Sequence, residues 1–124
     1  MKMLHDNVLD AALDYILTNV SHIHLLSAEP DIDTWANIAA YTLGNAAMVG
    51  GSFTGPGDYA GGGRQIVTPE VSASITGTGT VTYVAIVDTG GTEILAFSET
   101  AATAVSSGGS LTVPPWLIFL EDPA

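Results

Sequence analysis

The sequence predicts a mainly β protein, a β-sandwich of jelly-roll-like type preceded by one N-terminal α-helix. Three observations predict this fold class. Apolar residues recur at helical spacing up to residue 20 and at a period of two after it. Short runs rich in Val, Ile, Thr and aromatic residues then follow one another at roughly ten-residue spacing. Glycine-containing segments separate these runs, as is typical of turns between antiparallel strands.

Length and composition limit the function classes. The 124 residues fit one domain, 1–124, and a hydrophobic content of 47% with a mean hydropathy of +0.38 excludes a disordered chain. Thirteen acidic residues against two basic ones give a net charge of −11. Because nucleic acids and anionic membranes are bound by clustered Lys and Arg, we expect neither as a partner. The absence of cysteine excludes disulfides and thiol catalysis.

The helix is predicted at about residues 5–19. One apolar stripe, with spacings of three and four, consists of Leu9, Leu13, Ile16, Leu17 and Val20. Three aspartates at positions 6, 10 and 14 lie four apart on another face, where water can solvate them. Asp6 is the expected N-cap, because a carboxylate there accepts hydrogen bonds from the first free backbone N–H groups.

The β-sandwich is predicted at about residues 22–124. Residues 22–26 form its first strand, and 31–63 form a long irregular segment with a short helical turn at 34–40 capped by Asp33. Further strands are expected at 65–68, 71–76, 80–87, 93–98, 110–113 and 116–121. The run 81–87 is apolar on both faces in its middle, which indicates a central strand. Residues 77–79 and 89–92 are predicted to be hairpin loops between adjacent strands.

No motif indicates catalysis or cofactor binding. The serines lack the Gly-x-Ser-x-Gly turn of a nucleophile elbow. The glycines at 61–63 are followed by Arg64 and a predicted strand, whereas a phosphate loop requires a Lys and a helix. We therefore predict that the chain is not an enzyme and has no cofactor.

Two histidines form the strongest candidate for a metal site. His22 and His24 are two apart in a strand and so point to one side, where they could bind zinc with His5 or an aspartate as third ligand. The alternative is a histidine pair at a polar sheet surface or a subunit contact. Because the pattern lacks a second pair of ligands, we expect no metal site.

Four residues are candidates for contact with a protein partner: Trp35, Phe53, Tyr59 and Arg64. Trp35 and Phe53 lie in the predicted irregular segment and have the character of aromatic anchors of an interface. Arg64, the only arginine, is expected to pair with Asp58 or Asp88, or alternatively with a carboxylate of another subunit. Because only 12% of residues are charged and the apolar stripe of the helix needs more cover than a thin sandwich gives, we expect a homo-oligomer, a trimer or a dimer.

Several segments together resemble a family of small virion-associated proteins of tailed bacteriophages. They are 9–16 (LDAALDYI), 26–30 (LSAEP), 53–58 (FTGPGD), 63–64 (GR), 84–88 (VAIVD), 111–116 (LTVPPW) and 121–123 (EDP). The resemblance covers nearly the whole chain. Its most specific parts are the Phe-Thr-Gly-Pro segment and the Pro-Trp pair before the last strand. Family members often have a polar residue or Cys where this chain has Leu25 and Leu26.

The resemblance implies a capsid decoration, or cement, protein that binds the major capsid protein lattice on the outside of the head. It implies localisation in the virion after synthesis in the host cytoplasm, and it transfers no binding residue. The alternative is a tail or head-fibre module that recognises host surface glycans through aromatic residues and acidic loops. Many weak symmetric contacts on a lattice add up by avidity, which is compatible with the first expectation.

Overall fold

A six-stranded antiparallel sheet forms the larger part of the molecule in the computed structural model, which describes residues 4–122. Nine strands are assigned in that range: β1 His22–Leu26, β2 Thr42–Ala47, β3 Thr54–Asp58, β4 Gly63–Val67, β5 Val71–Ile75, β6 Gly79–Asp88, β7 Glu93–Val105, β8 Ser110–Val113 and β9 Leu117–Glu121. The large sheet has the order β7-β6-β1-β2-β5-β8, and a small sheet has the order β3-β4-β9.

Helices account for 19% of the described residues and strands for 49%. The helices are α1 Asp6–Asn19, α2 Ala36–Tyr41 and a 3-10 turn at Gly50–Ser52. The large sheet is curled, and α1 is the one long helix. The predicted fold class, mainly β with a sandwich-like arrangement and an N-terminal helix, is therefore confirmed.

The main core lies between the large sheet on one side and α1 with the small sheet on the other. Leu13 from α1, Ile23 from β1, Ile66 from β4 and Ile86 from β6 are at most 1% exposed and belong to one cluster. The small sheet adds Ile118 from β9 to this cluster. Burial of these side chains holds both sheets and the helix together.

A smaller core covers the opposite face of the large sheet. Leu26, Ala85 and Val87 are fully buried there, beneath Ile38 of α2 and the partly buried Trp35. Consequently β6, which lies between β7 and β1, is buried on both faces. The prediction of a central, doubly covered strand at 80–87 is confirmed.

The predicted helix at 5–19 is confirmed, with a different cap. His5 precedes the first turn, and its Nδ1 accepts a hydrogen bond from the backbone N–H of Asn7 at 3.1 Å. Asp6 is the first helical residue and not the N-cap. Its carboxylate still lies near the positive end of the helix dipole.

The prediction that 31–63 is irregular is wrong, because β2 and β3 lie within it, whereas the short helical turn predicted at 34–40 is confirmed as α2. β2, with the sequence TLGNAA, has few strand-forming residues, and its pairing with β1 and β5 determines its conformation. Gly44 permits this pairing, since a Cβ there would lie 2.4 Å from the Ser74 carbonyl oxygen. α2 begins after Trp35 without a side-chain cap, so Asp33 does not have the predicted capping role.

Two connections also differ from the predictions. The segment 77–79 does not form a hairpin, because β5 pairs with β2 and β8 whereas β6 pairs with β1 and β7. The predicted hairpin at 89–92 is confirmed by the β6–β7 pair. β7 extends to Val105, beyond the predicted end at 98, because its small and polar residues 99–105 pair with the first half of β6.

Candidate interaction surfaces

A second apolar row runs along the solvent side of α1. Val8 and Tyr15 are 54% and 52% exposed, and Leu4, just before the helix, is 45% exposed. At 100° per residue, Val8 and Tyr15 share one face of α1, about 130° from the buried stripe. Tyr15 donates a hydrogen bond to Glu93 Oε1 at 2.7 Å, which raises the pKa of its phenol. This row is therefore a candidate contact surface.

The outer face of the small sheet carries a second apolar patch. Phe119 lies opposite Gln65, while the neighbouring Ile66 is fully buried, so alternation directs Phe119 away from the core. The ring of Tyr59 stacks on Phe119 with centroids 4.2 Å apart and an interplanar angle of 7°. Leu117 on the same face is also exposed. Phe119, at 42% exposed, and Leu117, at 45%, make this patch accessible to solvent.

Arg64 connects three elements of the fold. Its Nε and Nη2 donate to Asp10 Oδ1 and Oδ2 at 2.7 and 3.1 Å, and its Nη1 donates to Asp58 Oδ1 at 2.6 Å. The Asp6 carboxylate lies 4.0 Å from Nη1. These hydrogen bonds, foremost those to Asp10, raise the pKa of the guanidinium despite its partial desolvation. The bidentate geometry fixes α1 against β4 and the end of β3.

The ion-pair prediction is confirmed for Asp58 and wrong for Asp88. Asp88 instead accepts a hydrogen bond from the Gly91 backbone N–H in the β6–β7 turn. Asp10 was not predicted as a partner of Arg64, because it lies 54 residues away in the sequence. The three-and-four spacing places Asp10 beside the buried stripe of α1, but the sequence does not reveal which strand crosses the helix there.

The four predicted contact residues do not form one surface. Phe53 is only 9% exposed and belongs to the main core, so its predicted role as a surface anchor is wrong. Trp35 packs against the smaller core on the opposite side of the large sheet. Arg64 faces α1, and only Tyr59 lies in an exposed aromatic patch.

A groove lies between the two edge strands of the curled sheet. Residues 100–103 of β7 and 111–114 at the end of β8 line a cavity of about 200 Å³ above Val84. An adjoining cavity of about 60 Å³ is lined by Glu99 and Trp116. Glu99 is the only ionisable residue lining either cavity, so the groove offers no pair of groups for acid–base catalysis.

The histidine pair lies on the face of β1 opposite the main core. The ring centroids of His22 and His24 are 6.3 Å apart. Burial, with a smaller effect of the neighbouring ring, lowers the pKa of His24. His5 caps α1, and within residues 4–122 no group of three or more His, Asp or Glu side chains could hold a metal ion. The third ligand considered in the sequence analysis is therefore missing from the described range.

Sequence reasoning missed the exposed row of α1 and the patch around Phe119. A second set of helical spacings, at positions 4, 8 and 15, is the signal that could have revealed the row. The apolar residues at 117–120 are continuous, so the pattern alone does not show which of them face solvent. Only the pairing register with β4 distinguishes the exposed positions 117 and 119 from 118 and 120.

No family model matches the chain, and neither a curated protein nor a solved structure matches it. Within residues 4–122, no helix has the length and apolar character needed to cross a bilayer.

Proposed function

We propose that this chain is a structural protein of a phage virion that decorates the outer head surface and stabilises the capsid lattice. The observation that carries the proposal is the solvent-facing apolar row formed by Val8 and Tyr15 on α1 with Leu4 just before the helix. The partner we propose is the major capsid protein, which is what the resemblance of the sequence to small virion proteins of tailed phages implies. The protein acts by binding, without catalysis.

Two features of the structure suit attachment through α1. The Arg64 hydrogen bonds to Asp10 and Asp58 fix the helix on the sheets, so little conformational entropy is lost when its outer row binds a partner. The row is apolar, whereas much of the rest of the surface carries the net charge of −11. The acidic surface repels packaged DNA, which suits a position outside the shell.

Binding to the assembled lattice stabilises the shell by mass action, because the protein binds the intact surface and not its dissociated subunits. A single contact with the lattice is weak, because it buries only one small apolar row. If the protein is an oligomer, several such contacts form at once and add up by avidity. We propose a homo-oligomer, a trimer or a dimer. The predicted stripe around Leu13 is covered by the chain's own core, so we propose the Phe119 patch as the surface for contact between subunits and leave the row on α1 for the lattice.

A substitution in the row tests the proposal. Val8→Glu places a charge in the contact and removes an apolar side chain, which we expect to weaken binding to purified heads about tenfold or more per contact. Asn7→Glu adds the same charge one residue earlier, about 100° around the helix, and serves as the matched control. Binding is measured by co-sedimentation with heads that lack the protein.

Heat resistance of the same heads provides the second measurement. Heads with bound wild-type protein or Asn7→Glu should remain intact at higher temperature than bare heads, and heads treated with Val8→Glu should behave like bare heads. Equal resistance of all four samples would refute a stabilising role. Equal binding of Val8→Glu and Asn7→Glu would refute the assignment of the apolar row on α1 as the surface that contacts the head.

The exposed Tyr59–Phe119 stack favours one other function, glycan recognition by a tail or head-fibre module. Flat aromatic faces pack against the apolar faces of sugar rings, and Phe119 is 42% exposed. Glycan-array binding that is lost in Phe119→Ala, together with immunogold label at the tail, would replace the decoration proposal by this one. Label over the head surface without glycan binding supports decoration.

A further inference from the structure

We propose that the free edge of β9 pairs with β9 of a second copy of this chain, antiparallel and about a two-fold axis at Phe119. The two small sheets then form one six-stranded sheet across the interface of a dimer. A two-fold axis is the commonest symmetry of homo-oligomers, because one surface patch serves both subunits. The inference rests on the homo-oligomer proposed above and narrows it to a dimer, but it does not depend on attachment to the head.

The strand β9 lies at the edge of the small sheet, with β4 as its single neighbour. Its five residues, Leu117–Glu121, pair with β4 without any shift in register. Within the described range, no backbone hydrogen bond outside this pairing reaches residues 117–121. The outward N–H and C=O groups of β9 are therefore free to pair with another strand.

The other three edge strands of the described structure each carry a feature that opposes such pairing. β3 contains Pro56, which has no N–H to donate, and its register with β4 shifts. β7 has two shifts in its register with β6, and irregularities of this kind oppose edge-to-edge pairing. β8 has only four residues and leads into Pro114 and Pro115. Among these edges, β9 is the one with a regular register and no proline or lysine.

Apolar side chains on both faces of β9 lack full cover. Leu117 and Phe119 lie on the outer face and are 45% and 42% exposed. Ile118 and Leu120 pack against the main core, yet they are only partly buried, because the strand lies at the rim of the small sheet. A second β9 beside the first covers apolar side chains on both faces, and this burial favours association.

The charge in β9 favours the antiparallel arrangement. Glu121 is the only ionisable residue of the strand. In a parallel pair the two Glu121 side chains lie beside each other, and like charges at opposite positions are destabilising. In an antiparallel pair centred on Phe119, Glu121 lies opposite Leu117 of the second copy, and four residues, about 14 Å, separate the two carboxylates. The two Phe119 rings meet at the axis, each stacked on the Tyr59 ring of its own chain.

Pairing through β9 gives a closed dimer of modest affinity. The two-fold pair uses the free edge of both copies, so no β9 edge is left for a third copy. A trimer requires β9 to pair with β3, β7 or β8 of the next copy, and each of these edges carries an opposing feature. Because a standard interface has about 20–30 residues on each side, an interface built on one five-residue strand predicts a dissociation constant in the micromolar range.

Sedimentation equilibrium of the full chain at about 1–500 μM tests the dimer. Phe119→Lys places a charge on the free edge and should raise the dissociation constant at least about tenfold. Val49→Lys is the matched control, because Val49 is 64% exposed and lies outside the strands. Val8→Glu should remain dimeric, so the dimer and the attachment to the head fail independently. A wild type that is monomeric throughout or trimeric, or equal effects of the two lysine variants, would overturn the proposal.

Single cysteines test the register, because the chain has no cysteine of its own. Position 119 lies opposite position 119 of the second copy, with Cβ atoms about 4.5–5.5 Å apart, so Phe119→Cys should form a disulfide-linked dimer on oxidation. Leu117→Cys lies about 14 Å from its equivalent and should not cross-link alone. A mixture of Leu117→Cys and Glu121→Cys should cross-link, because these positions are opposite each other. Cross-linking of Leu117→Cys alone that equals that of Phe119→Cys would overturn the edge pairing.

Discussion

Replacing Phe53 by alanine distinguishes a core role from a contact role for this ring. Phe53 is 9% exposed and packs in the main core, so the substitution removes nearly a whole aromatic side chain from a buried site. Large-to-small changes of this kind cost about 3–5 kcal/mol. Since domains are stable by about 5–15 kcal/mol, the loss is a large fraction of the total. At about 4 °C per kcal/mol, the melting temperature should fall by about 12–20 °C.

Phe119→Ala is the matched control, because it deletes the same atoms from an exposed site. Phe119 is 42% exposed and stacks on Tyr59, a contact worth about 0.5–1.5 kcal/mol, so we expect a total loss of about 1–2 kcal/mol. Urea unfolding followed by tryptophan fluorescence and circular dichroism measures both values. A loss below about 1 kcal/mol for Phe53→Ala, or equal losses for the two variants, would refute the core assignment.

Three further predictions concern local contacts. Gly44→Ala should destabilise the fold by about 1–3 kcal/mol in urea unfolding, because the added Cβ would meet a backbone oxygen of β5. Gly51→Ala should leave the stability unchanged, because there is open space around Gly51, and equal effects of the two substitutions would contradict this reasoning. Asp10→Asn should lower the melting temperature more than Asp58→Asn, because Asp10 accepts two hydrogen bonds from the guanidinium and is less exposed. Because burial lowers the pKa of His24 below the unfolded value of 6.5, the unfolded chain binds this proton first. The unfolding free energy should therefore fall as pH drops below about 6.5, and His24→Gln should reduce that fall.

The elements with a strong local signal could be predicted from the sequence. The helical spacing of residues 9–20 defined α1 to within one residue, and the strands β1 and β8 have the predicted bounds. β2 and β3 had no such signal, because Gly44 and the Thr-Gly-Pro-Gly run disfavour strands locally. Pairing with neighbouring strands determines their conformation, and that information is not local.

The contacts at the candidate surfaces could likewise be predicted only where they are close in sequence. Asp58 was predicted as a partner of Arg64 because it is six residues away, across the β3–β4 turn. Asp10 was not predicted as a partner of Arg64, because the contact between the two residues depends on how α1 crosses the small sheet. Phe53 was expected at the surface because glycine and proline surround it, yet its side chain fills the core. Composition describes the segment, while packing determines where each side chain points.

The central claim, attachment of many copies to the outside of a phage head, is tested most directly by counting copies in purified virions. Quantitative mass spectrometry against the major capsid protein gives the ratio, and immunogold labelling gives the position. The proposal predicts copies in fixed proportion to the capsid lattice, with label over the whole head. A handful of copies per particle, label confined to the tail, or absence from the virion would contradict it.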